Sequence, residues 1–142
     1  MDASPQILAH NLETVPRRHK AVRPQAKYER SMQVLSRIRN AGLVSKTGIM
    51  VGIGVTDVEV LTMLKDIRER AETEIITIGQ YLQPSRNHLP VDRWVHPDQF
   101  DHYKEVGLEL GFRVVESGPL VRSSFHAEEQ VRSWKSSRNN QN

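Results

Sequence analysis

The sequence has no cysteine at any of its 142 positions. That absence excludes disulfides, thiolate nucleophiles, zinc–thiolate centres and cysteine-held iron–sulfur clusters built from this chain alone. Aromatic residues are scarce at 6%, and the hydrophobic fraction of 37% supplies a modest core for one domain. No apolar run approaches the roughly 20 residues of a membrane-spanning helix. The opening Met1-Asp2-Ala3-Ser4-Pro5 lacks a basic segment and an apolar stretch, so no signal peptide is expected. Charge of either sign is not in large excess: the net charge is +3 and the pI is near 9.4. The densest basic group is Arg17-Arg18-His19-Lys20 with Arg23. Mild basicity permits anionic ligands or nucleic acid without demanding either.

What the chain does have is alternation. Ile7–Val15 reads as a short strand opening the domain almost at once. Pro16 and Pro24 bracket a basic connection that is not helical throughout. Lys27–Ala41 reads as a helix, with Tyr28, Met32, Leu35 and Ile38 at three-to-four spacing and Gly42 as its stop. Lys46–Gly54 is a second strand. Thr56 can cap the next helix, with Glu59 three residues on as its partner. Val60, Leu61, Leu64 and Ile67 form the inner stripe of that helix. Glu74–Leu82 is a third strand, rich in β-branched residues, and fits a central parallel strand covered on both faces. Pro97 suits the first position of a third helix capped near His96, carrying Phe100, Tyr103, Val106, Leu108 and Leu110 and stopping at Gly111. Phe112–Glu116 is a fourth strand. From Ala127 the chain turns to Ser, Arg, Asn and Gln, so 127–142 is expected to be a polar, flexible tail.

Strict alternation with short connections implies an α/β fold with a parallel sheet and right-handed crossovers. Four strands and three helices fit either an open sheet or part of a (βα) barrel, and the spacing does not separate these. In such folds ligands meet the carboxyl ends of strands. There the chain places Asn11 and Glu13, the Gly52/Gly54 turn, Gln80, Tyr81 and Gln83, and Ser123 with Ser124. A shared rim of this kind is suited to a polar ligand, although βα loops are polar in any case. The glycine spacing matches neither a dinucleotide fingerprint nor a P-loop. No serine sits in a G-x-S-x-G elbow, and the six histidines lack close metal spacing. A triad hydrolase or zinc hydrolase has little support.

Several stretches carry a family resemblance. HNLETV at His10–Val15, VRP at Val22–Pro24, YERS at Tyr28–Ser31 and KTGIMVGIG at Lys46–Gly54 resemble segments of lipoyl synthases. So do TIGQYLQPSRNHLPV at Thr77–Val91 and SGPLVRSSFHAEE at Ser117–Glu129. The GQYLQPS and GPLVRSS blocks are the specific ones. The chain thus resembles the C-terminal half of a radical S-adenosylmethionine enzyme. The resemblance implies that residues 1–126 are part of a partial (βα)6, TIM-like barrel.

It further implies a sulfurtransferase that inserts two sulfur atoms into a protein-bound octanoyl group, making the lipoyl cofactor. Two 4Fe-4S clusters and S-adenosylmethionine serve that chemistry. The substrate is an octanoylated lipoyl-carrier protein domain or the glycine-cleavage H protein. Carried over by position, Ser124 is the serine ligand of the auxiliary cluster, supported by Arg122 and Ser123. Asn11 and Glu13 lie beside the methionine part of S-adenosylmethionine, and Arg30 pairs with its carboxylate. Gly52, Gly54 and the Gln80, Tyr81 and Leu82 backbone lie near its ribose and adenine. A cytoplasmic protein is expected, with no membrane and no nucleic-acid partner.

Two departures stand out. The cysteine motifs for both clusters belong to an N-terminal half that this sequence lacks, so the chain alone is expected to be inactive, and a cysteine-bearing N-terminal half is an expected partner. The family's G-x-G-E-T-D run reads Gly52-Ile53-Gly54-Val55-Thr56-Asp57 here, with Val55 in place of the acid. The rival reading is a non-catalytic α/β binding module or a relic fragment.

Overall fold

The computed structural model describes residues 6–11, 24–53, 56–83, 85–87 and 90–121, the side chains of 24–27 excepted. The elements run β1 (Ile7–Ala9), α1 (Pro24–Asn40), β2 (Val44–Val51), α2 (Asp57–Asp66), a π-helical turn (Ile67–Ala71), β3 (Ile75–Gln80), α3 (Pro97–Leu110) and β4 (Val114–Gly118). The strands form one sheet in the order β1-β2-β3-β4, and every described pairing is parallel. Each strand therefore sits beside the next in sequence, with a helix between successive pairs. This is an α/β fold consistent with part of a TIM-like barrel.

The sheet has two unlike faces. Ile49 and Val51 on β2, Ile76 and Ile78 on β3, and Val115 on β4 pack with the helix residues Met32, Leu35, Ile38, Val60, Leu64, Phe100 and Tyr103. All three helices thus bury their apolar stripes on one face. On the other face Ile7, Val44, Ile75 and Val114 form a smaller cluster near the strand starts. Alternation along the strands then places Lys46, Gly48 and Met50, Thr77 and Gly79, and Glu116 and Gly118 on that second face. Toward the carboxyl ends, this face therefore passes from aliphatic to charged and polar to glycine-bearing.

The helix signals act as local physics requires. Thr56 Oγ1 accepts from the Glu59 amide at 3.2 Å, and Glu59 Oε1 accepts from the Thr56 amide at 3.0 Å, completing the capping box of α2. His96 Nδ1 accepts from the Asp98 amide at 3.0 Å, with Pro97 at the first helical position of α3. Tyr103 and Phe100 pack edge to face with ring centroids 5.9 Å apart.

Several boundaries differ from the sequence expectation. Helix α1 begins at Pro24, three residues before the expected Lys27, because proline is pre-set for a first helical position. Strand β1 spans only Ile7–Ala9; His10 and Asn11 lie past its end, and the expected strand from Leu12 on lies outside the described residues. Strand β2 starts two residues early and ends at Val51, and β4 is displaced to Val114–Gly118. That displacement follows from pairing: the amides of Arg113 and Val114 both donate to Glu74 O, which sets the register against β3. Leu108, expected on the buried stripe of α3, is 47% exposed. Gly107 takes the inward position instead, where a Cβ would lie 3.0 Å from Val115. The π-helical turn after α2 has no counterpart in the sequence expectation. It ends at Glu72 in the left-handed region (φ 52°), and Arg68 Nη1 donates to Thr73 O at 3.1 Å beyond it. The expected tail, 127–142, lies outside the described residues.

Candidate functional site

The carboxyl ends of β1, β2 and β3 bring two groups of the expected residues together. The first group is at β1. The His10 amide donates to Lys46 O at 2.9 Å, extending the ladder one residue past the strand. Its ring Nε2 is hydrogen-bonded to Ser31 Oγ at 3.1 Å. That bond fixes the exit of β1 against the second turn of α1. It brings Asn11, next to His10, to the same region as Arg30, next to Ser31. Both Asn11 and Arg30 are exposed. An amide and a guanidinium are each donors suited to a carboxylate.

The second group is at the ends of β2 and β3. Gly52 has φ +87°, and a Cβ there would lie 2.4 Å from both Arg93 O and Gln80 Nε2. The glycine is needed for close approach of protein to protein. Gly52 O accepts from the Asp92 amide at 2.8 Å and from the Arg93 amide at 3.3 Å. Gln80 is 2% exposed, and its carboxamide is fully engaged. Nε2 donates to Tyr81 O at 3.1 Å and Arg93 O at 3.0 Å, while Oε1 accepts from the Val95 amide at 2.9 Å. The Tyr81 amide donates to Val51 O at 2.8 Å. Gln80 thus fastens the 90–95 connector across the ends of both strands. Tyr81 is half-buried and Leu82 is 44% exposed.

Three residues of this region carry no site signal in the sequence. Asp57 is the first residue of α2, Arg93 lies in the connector and Tyr103 on α3. Tyr103 Oη donates to Asp57 Oδ1 at 2.5 Å, and Arg93 Nη2 donates to the same oxygen at 2.6 Å. The Tyr103 hydrogen bond, then the Arg93 guanidinium, hold the Asp57 carboxyl below the usual carboxylate range. Burial, then the Asp57 carboxylate, push the Tyr103 phenol up to about 12. Tyr103 reads in the sequence as one more member of an apolar stripe, and Asp57 as a helix-start acid. No local pattern marks Arg93.

Lys46 is another residue whose setting deepens the site. It is 7% exposed on the face opposite the three described helices. Burial lowers the pKa of its ammonium, while Glu116 acts in the opposite sense. A signal for this exists in the sequence: period-two counting from Gly48 and Met50 puts Lys46 on their face.

Glu13, Gly54, Arg122, Ser123 and Ser124, together with Val55, lie outside the described residues. Among the described residues no group of three or more His, Cys, Asp or Glu side chains is arranged to hold a metal ion. The described residues therefore do not by themselves fit an iron–sulfur cluster. No helix among them is long and apolar enough to cross a membrane.

No family model matches the chain. Curated proteins do. The chain is 52% identical over 133 residues to the lipoyl synthase of Rubrobacter xylanophilus, covering 92% of this chain and 41% of that protein. It is 53% identical over 129 residues to the lipoyl synthase of Chlorobaculum parvum, covering 90% and 44%. It is 50% identical over 132 residues to the mitochondrial lipoyl synthase of Nematostella vectensis, covering 92% and 45%. The chain spans less than half the length of these relatives. Over nine tenths of its own length, it is a homologue of one part of lipoyl synthase.

Proposed function

We propose that the chain is the C-terminal part of a lipoyl synthase and completes its active site only with a cysteine-bearing N-terminal half. The observation that carries this reading is half-identity to lipoyl synthases across nine tenths of the chain, but across less than half of those enzymes. The absence of cysteine supports the second clause. The reaction of the assembled pair is insertion of two sulfur atoms into an octanoyl group on a lipoyl-carrier domain or H protein, in the cytoplasm. Clusters and S-adenosylmethionine supply the sulfur and the radical that opens unactivated C–H bonds.

This chain's own residues bind and orient. Arg30 and Asn11 take the carboxylate and amino end of S-adenosylmethionine, assisted by Glu13. The backbone at Gly52, Gly54 and Gln80–Leu82 lies along its ribose and adenine. Only the backbone serves this purpose at Gln80, because its carboxamide is spent on the connector. Ser124 is the proposed serine ligand of the auxiliary cluster, with Arg122 and Ser123 beside it.

Anaerobic iron and sulfide reconstitution tests the assignment. The chain is loaded alone and mixed with the N-terminal half of a related lipoyl synthase. Bound iron and the visible absorbance are read after gel filtration. Two clusters in a stable heterocomplex, one of them altered by Ser124→Ala, support the reading. A chain that neither joins the N-terminal half nor changes its clusters leaves only common ancestry.

A further inference from the structure

The bonds around Asp57 tie the 90–95 connector to two helices. The Asp57 carboxylate is the meeting point of three elements: α2, which it begins, α3 through Tyr103, and the 90–95 connector through Arg93. The backbone of Arg93 is in turn held between the ends of two strands. Its amide and that of Asp92 donate to Gly52 O, and its carbonyl accepts from Gln80 Nε2. The side chain of Arg93 therefore fastens to a helix start while its backbone fastens to the rim.

We propose that Asp57, Arg93 and Tyr103 are positioning residues that set the shape of the strand-end rim at Gly52 and Gln80–Leu82, and through it the affinity for an adenosyl sulfonium or thioether ligand. The proposal rests on the cofactor reading above for its ligand, but the coupling it describes is a property of the rim itself. Tyr103 acts at a distance: its hydroxyl holds the carboxylate, the carboxylate holds the Arg93 guanidinium, and Arg93 holds the connector against Gly52. Trp94, in the middle of this connector, is 69% exposed, so apolar burial at that residue contributes little to fixing it. Val95 is the buried anchor at the connector's far end. Polar bonds thus carry most of the positioning between Asp92 and Trp94.

Amide hydrogen exchange on the full chain tests the coupling, and titration with S-adenosylhomocysteine tests its consequence. Tyr103→Phe removes one oxygen and retains the ring that packs on Phe100. Asp57→Asn is the second variant. Phe100→Leu is the control, since it loosens the α3 core without touching the carboxylate. The expected result is faster exchange at Asp92, Arg93 and Val95 in Tyr103→Phe and Asp57→Asn, by on the order of tenfold, with Ile76 and Ile78 unchanged. Affinity for S-adenosylhomocysteine falls several-fold in the same variants. Phe100→Leu instead speeds exchange at Ile76, Ile78 and the connector together. Exchange at the connector that is unchanged in both variants, or that rises only along with Ile76 and Ile78, overturns the coupling. A loosened connector with unchanged affinity overturns its role in ligand binding. If the wild-type chain, alone and with an N-terminal half, fails to bind S-adenosylhomocysteine while the connector responds as expected, the cofactor reading falls and the coupling stands.

Discussion

At Gly52 the end of one strand meets the backbone of the 90–95 connector. A glycine at a strand end allows close approach by another backbone or by a ligand. In the structure the connector's backbone occupies that place, at a distance no Cβ tolerates. Gly52→Ala adds left-handed strain to a clash with Arg93 O, so it should lower stability by about 2–4 kcal/mol in chemical denaturation. Gly42→Ala is the matched comparison. It has φ +83° and nothing within 4 Å of an added methyl group, so only strain of about 1 kcal/mol is expected. Equal losses in the two variants would show that the connector does not press on Gly52. Gln80 invites a second test. Gln80→Leu keeps approximate volume but leaves the Val95 amide and Arg93 carbonyl without their partner. A loss of about 2–4 kcal/mol is expected, and a loss under about 1 kcal/mol would contradict the role given to the carboxamide.

Tyr103 adds a pH dependence. Its phenol is held neutral up to about 12, above the ordinary value of 10.0, first by burial and then by Asp57. A raised acid favours the protonated form in the folded state. Its contribution is therefore complete below the ordinary value of 10.0 and lost as pH rises through about 12. Denaturation midpoints of the wild type should fall more steeply than those of Tyr103→Phe in that alkaline window. Parallel curves would place the phenol in a setting no different from water.

At the scale of elements, the helices are legible because each carries both a period and a punctuation mark. Val60, Leu64 and Ile67 are fully buried as their spacing requires, and the Thr56–Glu59 box and His96–Pro97 start both form. Thr56→Ala removes one partner of the box at an exposed site, so a loss of about 1 kcal/mol in thermal or urea unfolding is expected. No change would mean that the box is incidental. The strand limits are less legible, since residues past the last hydrogen bond remain apolar. Register is decided across the sheet, as when Glu74 O takes two amides from the start of β4, and a single strand does not reveal its partner. The π-helical turn has no mark in the sequence at all. Just beyond its end Glu72 turns left-handed and forms an ion pair with Arg39 at 2.9 Å.

At the scale of the molecule, the order of strands and helices is readable from alternation alone. Alternation does not distinguish an open sheet from a piece of a barrel. The one-sided placement of the helices bears on that choice. Among the described residues it leaves a second face carrying Lys46, Thr77 and Glu116, polar groups where a free-standing two-sided sheet would carry aliphatic residues. Candidate site residues are legible as a rim and opaque as bonds. Asn11 and Arg30 adjoin the bonded pair His10 and Ser31, whereas the Asp57 junction joins residues up to 46 apart in sequence, beyond the reach of any local motif.

The measurement that bears most directly on the central claim is anaerobic turnover with an octanoylated carrier domain, read by mass spectrometry of the carrier. The chain alone, the N-terminal half alone and the mixture are compared. A lipoyl product is predicted only from the mixture. Product from the chain alone, or a stable cluster-loaded heterocomplex that yields none, would contradict the claim.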